Sequence, residues 1–191
     1  GPDPRQWWGE LKTSTDQGRT WSASRKLGSS GLGHLIGPVK NKPIQLEDGT
    51  IICPSSTERI EQGITFWQVH FELSRDLGKS WEIIGPINDG IEFDAIQPSI
   101  LTYGDGRMQI LCRTIQDVIS ESWSTDGGMS WSAMKATQLP NPSAGTDAVT
   151  LSDGRQLLVY NHSVHGKKAP GRGMLNVALS MDGRQWEPVL T

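Results

Sequence analysis

Four segments of the chain repeat one pattern. Ser14-Thr15-Asp16-Gln17-Gly18-Arg19-Thr20-Trp21, Ser74-Arg75-Asp76-Leu77-Gly78-Lys79-Ser80-Trp81 and Ser124-Thr125-Asp126-Gly127-Gly128-Met129-Ser130-Trp131 match it in full. Ser180-Met181-Asp182-Gly183-Arg184-Gln185-Trp186 is one residue shorter. The aspartates lie 60, 50 and 56 residues apart, the spacing of a repeat architecture. The residue types are those of a tight hairpin. Asp accepts hydrogen bonds from the turn's own amides, Gly takes a positive φ without steric cost, and Trp opens the next strand with a large apolar surface. Asp16, Asp76, Asp126 and Asp182, with Trp21, Trp81, Trp131 and Trp186, therefore read as structural. They also account for half of the eight Trp, against three Phe and two Tyr.

A second repeat interlocks with the first. Asp48-Gly49, Asp105-Gly106 and Asp153-Gly154 each separate a pair of apolar runs, which is a hairpin signal. Strands are expected over 43–47, 50–55, 65–73 and 81–86, then 97–102, 108–114, 118–124 and 131–137, then 148–151, 156–161, 174–180 and 186–190. Two further strands, 8–14 and 21–26, precede them. In 65–73, Trp67, Val69, Phe71 and Leu73 alternate with Gln68, His70 and Glu72, as one buried and one polar face would. Four-stranded units of about fifty residues repeated radially are propeller blades. The expectation is an all-β chain forming about three and a half blades: a half blade at 1–36 and blades at 37–92, 93–141 and 142–191. A closed propeller typically has 4–8 blades. The chain is thus expected to be a fragment of a longer protein, or to self-associate to complete a ring.

Net charge is −3, with no run of Lys and Arg, which argues against a nucleic-acid partner. No apolar stretch is long enough to span a membrane. Cys53 and Cys112 lie in apolar runs and read as buried thiols. No spacing indicates a metal site, and no motif calls for a cofactor.

In an antiparallel blade the two Asp/Gly turns share one end, which leaves longer connections at the other, where functional residues concentrate. That open end collects Lys40, Lys42, Gln97, Thr146 and Asp147 from the starts of first strands. Ends of second strands add Ser56, Glu58, Arg113, Asn161 and His162, and third strands add Gln68, His70 and Arg172. Polar groups converging from several blades make a pocket, and Lys40, Lys42, Arg113 and Arg172 make it cationic.

Together these motifs resemble the sialidase superfamily, whose repeats are called Asp boxes or bacterial neuraminidase repeats, and most of all bacterial sialidase-like proteins of unassigned substrate. The resemblance covers essentially the whole chain. It implies a six-bladed propeller, three arginines on the carboxylate of sialic acid, a Tyr nucleophile assisted by a Glu, and an Asp acid/base. A Tyr nucleophile is an exception among glycoside hydrolases. Arg113, before the box at Ser124, matches one arginine; Arg172, with Leu175 and Ser180, matches another. Gly37-Pro38-Val39-Lys40-Asn41-Lys42-Pro43 resembles the loop opening the preceding blade. Gln97, in Ile96-Gln97-Pro98-Ser99, stands where the family has its Glu, and a neutral amide is no base. The family's first Arg and its Asp are expected before Gly1 and its Tyr after Thr191, since Tyr103 and Tyr160 are elsewhere.

The resemblance implies a sialidase-like glycoside hydrolase acting from the end of glycans that terminate in an acidic sugar. This chain would hold a portion of the site, with Arg113 and Arg172 on the carboxylate, Lys40, Lys42 and Asn161 also on substrate, and Asp147 and His162 as further catalytic candidates. It would be inactive alone. It also implies a secreted or periplasmic location. A uronic-acid polysaccharide lyase, with His70 or His162 as base, and a non-catalytic glycan-binding module are the alternatives.

Overall fold

The computed structural model describes residues 3–166 and 171–190. Its described residues hold strands and a single 3-10 turn, Pro4–Gln6, and no helix is long and apolar enough to cross a membrane. Three four-stranded antiparallel sheets follow one another. The first holds β5 (Ile44–Gln45), β6 (Ile51–Glu61), β7 (Ile64–Ser74) and β8 (Glu82–Ile84). The second holds β9 (Ala95–Thr102), β10 (Met108–Thr114), β11 (Val118–Ser124) and β12 (Lys135–Pro140). The third holds β13 (Asp147–Thr150), β14 (Gln156–Tyr160), β15 (Asn176–Ser180) and β16 (Glu187–Leu190). Spatial order equals chain order in each. Before them β1 (Glu10–Leu11) pairs with β2 (Arg25–Lys26), and β3 (Ser29–Ser30) with β4 (Gly33–His34). The β3–β4 hairpin has no counterpart in the expected strands.

The Asp-Gly turns are three-residue hairpin loops. Leu46, Tyr103 and Leu151 pair across them with Thr50, Arg107 and Arg155. Gly49, Gly106 and Gly154 close each loop at φ 88°, 83° and 86°, the left-handed position that follows a type I turn. The aspartate accepts from the amide two residues on, at 2.9 Å for Thr50 and 3.1 Å for Arg107 and Arg155.

The Asp boxes are likewise built from their own residues. Ser74 Oγ accepts the Gly78 amide at 2.6 Å. Asp76 accepts the Ser80 amide at 2.8 Å and the Ser80 hydroxyl at 2.7 Å. Asp16 and Asp126 repeat this with Thr20 and Ser130. In the shorter fourth box Gln185 replaces the hydroxyl residue, and Asp182 accepts its amide alone. The indoles of Trp21, Trp131 and Trp186 donate to the carbonyl of the box glycine; that of Trp81 has no partner.

The sheets pack face to face, and the middle one serves two cores. Ile100, Met108, Ile110 and Cys112 join Ile52, Val69, Phe71 and Leu73 on one side. Leu101, Leu111 and Ile119 join Leu158, Tyr160 and Ala178 on the other. Strand alternation supplies both sets from the same stretch of chain. Phe71 is fully buried and stacks on Trp131 at 4.6 Å between centroids. Burial of such a side chain is worth about 1.5–3 kcal/mol.

Three expectations need correction. The box tryptophans precede the fourth strands instead of opening them, and Trp21 is 59% exposed. The face of β7 read as polar is also buried: His70 is 2% and Glu72 0% exposed, because Glu72 accepts the amides of Ile36 and Gly37 at 3.0 and 2.8 Å. The connection from β6 to β7 is no long loop. The two strands pair on to Glu61 and Ile64, whereas β5 reaches only Ile52 and β8 only Phe71. An arm therefore projects from the open end of the first sheet.

Candidate functional site

The openings of the three first strands meet at that end. Lys40, Gln97 and Ser143 stand at φ 66°, 58° and 46°, a left-handed conformation that costs of order 1–3 kcal/mol for a non-glycine residue. At Gln97 the cause is visible. Pro98 has no N–H for the ladder, and the register of β9 against β10 shifts between Leu111 and Arg113. Such a bulge re-aims side chains. Asn41, itself buried, donates to the Gln97 carbonyl at 2.7 Å and to Ser99 Oγ at 2.8 Å.

The lysines span the same junction. Lys40 Nζ donates to the Thr146 carbonyl at 2.6 Å and to Asn41 Oδ1 at 3.2 Å, and burial lowers its pKa. Lys42 donates to Asp147 at 2.8 Å and to the Ala148 carbonyl at 3.1 Å. Both ammoniums thus tie the first sheet to the third, and Asp147 is engaged in the same tie.

Arg113, at the end of β10, is half-buried. Its guanidinium lies 5.2 Å from the Trp67 ring centre and donates to Gln97 Oε1 and Ser143 Oγ, each at 3.4 Å. Arg172 donates to the Ser143 carbonyl at 2.7 Å. Burial, then the neighbouring Arg172 charge, lower the Arg113 pKa, and Glu58 opposes them. Among the described residues neither arginine has an ion-pair partner within 4.0 Å. Asn161 donates to the carbonyls of Arg172 and Met174 and so holds the loop that carries Arg172. Residues 167–170, before Gly171, lie outside the described residues. His162 is exposed, and its Nδ1 faces the Tyr160 hydroxyl.

Four buried polar atoms lack a partner here: Trp67 Nε1, Arg113 Nε, Asn141 Nδ2 and Thr146 Oγ1. Buried polar groups are paired in nearly all native structures, so these strand openings hold polar atoms left for a partner from outside the described residues. A cavity of about 560 Å³ opens on the other side of Gln97, with Glu58, Gln68, Ser56 and His34 in its lining and neither arginine among its walls. Gln97 belongs to both, lining the cavity and accepting from Arg113.

The strand-end rule selects Arg113, Gln97, Arg172 and Glu58. It misses Asn41, Ser143 and Asn141. Ser143 sits in Asn141-Pro142-Ser143-Ala144-Gly145, whose composition reads as a turn; the signal is its place before a first strand, equivalent to Lys40.

Successive antiparallel meanders, face-to-face packing and a polar convergence at the end away from the Asp boxes define a partial β-propeller of sialidase type. The chain belongs to the BNR repeat-like domain family, whose model matches residues 1–191. In structure it is similar to a protein of unknown function from Dyadobacter fermentans (TM-score 0.75, 19% identity, 95% of this chain and 51% of that one). It is also similar to the NanB sialidase of Streptococcus pneumoniae, solved as a K499G mutant (TM-score 0.68, 19% identity, 93% and 27%). A third is an α-L-arabinofuranosidase from Fusarium graminearum, solved as an E242A mutant with an iminosugar inhibitor (TM-score 0.60, 18% identity, 99% and 60%). The chain spans about half the length of the first of these and about a quarter of the second. No curated protein matches it in sequence.

Proposed function

We propose that this chain carries the carboxylate-binding portion of a sialidase-type glycoside hydrolase acting on terminal acidic sugars. The observation that carries the reading is the Arg113–Arg172 pair. Two adjacent guanidiniums with no carboxylate partner among the described residues are a site for an external anion, and the Arg fork suits a carboxylate. The strained openings at Lys40, Gln97 and Ser143 and the orphaned polar atoms support a ligand in the same place. In this reading the blades are 37–92, 93–141 and 142–191 with a half blade at 1–36. The rest of the ring comes from further sequence or from other copies, and the 191 residues alone do not turn over substrate. In the intact protein Arg113→Ala should abolish hydrolysis of a sialoside or glucuronide and weaken binding of the acidic sugar. Unchanged turnover removes the assignment.

A uronic-acid lyase is the second reading, favoured by one observation. The neutral Gln97 amide lies against Arg113, an arrangement that neutralises a substrate carboxylate without supplying a carboxylate base. A lyase product is unsaturated and absorbs in the ultraviolet; a hydrolase product does not.

A further inference from the structure

Building on the carboxylate-binding role proposed for Arg113 and Arg172, we infer that Asp117 is the positioning residue of that pair, holding the Arg172 loop against the sheet that carries Arg113. Asp117 lies in the turn between β10 and β11, four residues after Arg113. It fastens two other segments to that turn. Its backbone carbonyl accepts the Asn141 amide at 3.0 Å, two residues before Ser143, on which both arginines converge. Its Oδ1 accepts from the His165 amide at 2.9 Å and from His165 Nδ1 at 2.6 Å. His165 stands between β14 and β15, in the connection that delivers Arg172. Asp117 is at φ 58°, in the left-handed region that Asp enters more readily than most residues. In that conformation one residue serves both segments.

The other bonds of the connection stay within its own sheet. Asn161 donates to the Arg172 and Met174 carbonyls, and the His162 amide to Asn176 Oδ1. They shape the loop without placing it against the second sheet. Among the described residues two hydrogen-bonded contacts reach beyond that sheet, Arg172 to Ser143 and His165 to Asp117. The first is made by the guanidinium that meets the ligand, so the second is the one that places the loop. Two guanidiniums repel each other, and the circuit from Arg113 through Asp117, His165, Arg172 and Ser143 holds them together until an anion arrives. A site assembled in advance spends less of its binding energy on ordering itself. The Asp117–His165 side chains are 37% and 57% exposed, and an exposed pair makes a modest tie.

The test is calorimetric titration of the intact protein with N-acetylneuraminate and with glucuronate, each against its methyl ester, which keeps the ring and removes the charge. Asp117→Ala should weaken binding of the better-bound acid about three- to tenfold, the scale of an exposed ion pair, and leave the ester unchanged. Asp117→Asn keeps an acceptor for the His165 amide and should recover part of the loss. The deciding readout is a double-mutant cycle. In an Arg172→Ala background Asp117→Ala should cost nothing further, because the loop no longer carries the group it places. In an Arg113→Ala background it should cost its full factor. Equal added losses in both backgrounds, or unchanged binding in Asp117→Ala alone, overturn the role of Asp117 and leave the carboxylate-binding reading standing. Should Asp117→Ala not fold, His165→Ala removes the Nδ1 contact alone and enters the same cycle, with a smaller loss expected. A wild-type protein that binds neither acid overturns both.

Discussion

Arg113 and Arg172 converge on Ser143, the first donating to its hydroxyl at 3.4 Å and the second to its carbonyl at 2.7 Å. One residue, held at φ 46°, thus sets the spacing of two like charges from different sheets. A hydrogen bond to a charged group is worth about 1.5–3 kcal/mol. Arg113→Ala and Arg172→Ala are each expected to weaken binding of an acidic monosaccharide by about ten- to a hundredfold. Ser143→Ala removes only the longer contact and should cost less than tenfold. Calorimetric titration of the intact protein measures all three, and a neutral sugar serves as the control.

The box tryptophans should separate by burial, although their motifs match. Trp131 stacks on Phe71 in the core between the first two sheets. Trp131→Ala is expected to destabilise by about 3 kcal/mol or more. Trp21, 59% exposed, should tolerate alanine within about 0.5 kcal/mol. Urea denaturation of the two variants decides it; equal losses would mean that the motif, and not its packing, sets the energy.

Stability should fall in acid through the Asp boxes. Hydrogen bonds from the following hydroxyl and amide hold Asp16 and Asp126 down to about 2, against an ordinary 3.8. A pKa depressed by folding stabilises the native state above the unfolded value and loses that contribution as pH falls through the folded one. The loss is therefore expected between about pH 4 and pH 2. Thermal melting across that range should show it, and Asp126→Asn should melt lower at pH 6 with a shallower decline in acid.

Both thiols should be silent in the native protein. Burial pushes Cys53 up to about 12 and raises Cys112 as well, and thiolate is the reactive form. A disulfide reagent at pH 8 should titrate neither cysteine until denaturant is added, and then both. Rapid native reaction would show that these sheets open readily.

The features legible in the sequence are those whose physics is local. An Asp box makes its own hydrogen bonds within a few residues, so Ser74, Asp76, Gly78 and Ser80 declare the turn without help from the rest of the chain. Strands β10 and β11 occur over the residues that periodicity assigns them, because alternation and the turns beside them agree. Asn41 and Ser143 are not legible, since each acts through partners far along the chain. Asn41 reaches Gln97 and Ser99 in the next sheet, and Ser143 matters only once two arginines have arrived. The β6–β7 arm is hidden because Gln62-Gly63 is a weak turn signal after polar residues that read as a strand end.

By itself the sequence determined the repeat, the strand order, the end that is tightly turned and the end that is open, since each follows from periodicity and turn chemistry within some fifty residues. Only the tertiary structure decided what the opposite end contains. Lys42 is occupied by Asp147, Glu72 is buried as an anchor for the Ile36–Gly37 backbone, and Glu58 stands exposed on a projecting arm. Charge in a sequence has no address until packing gives it neighbours. The same Asp box that fixed the fold in four short segments left its tryptophans, buried or exposed, to the sheets that pack around them.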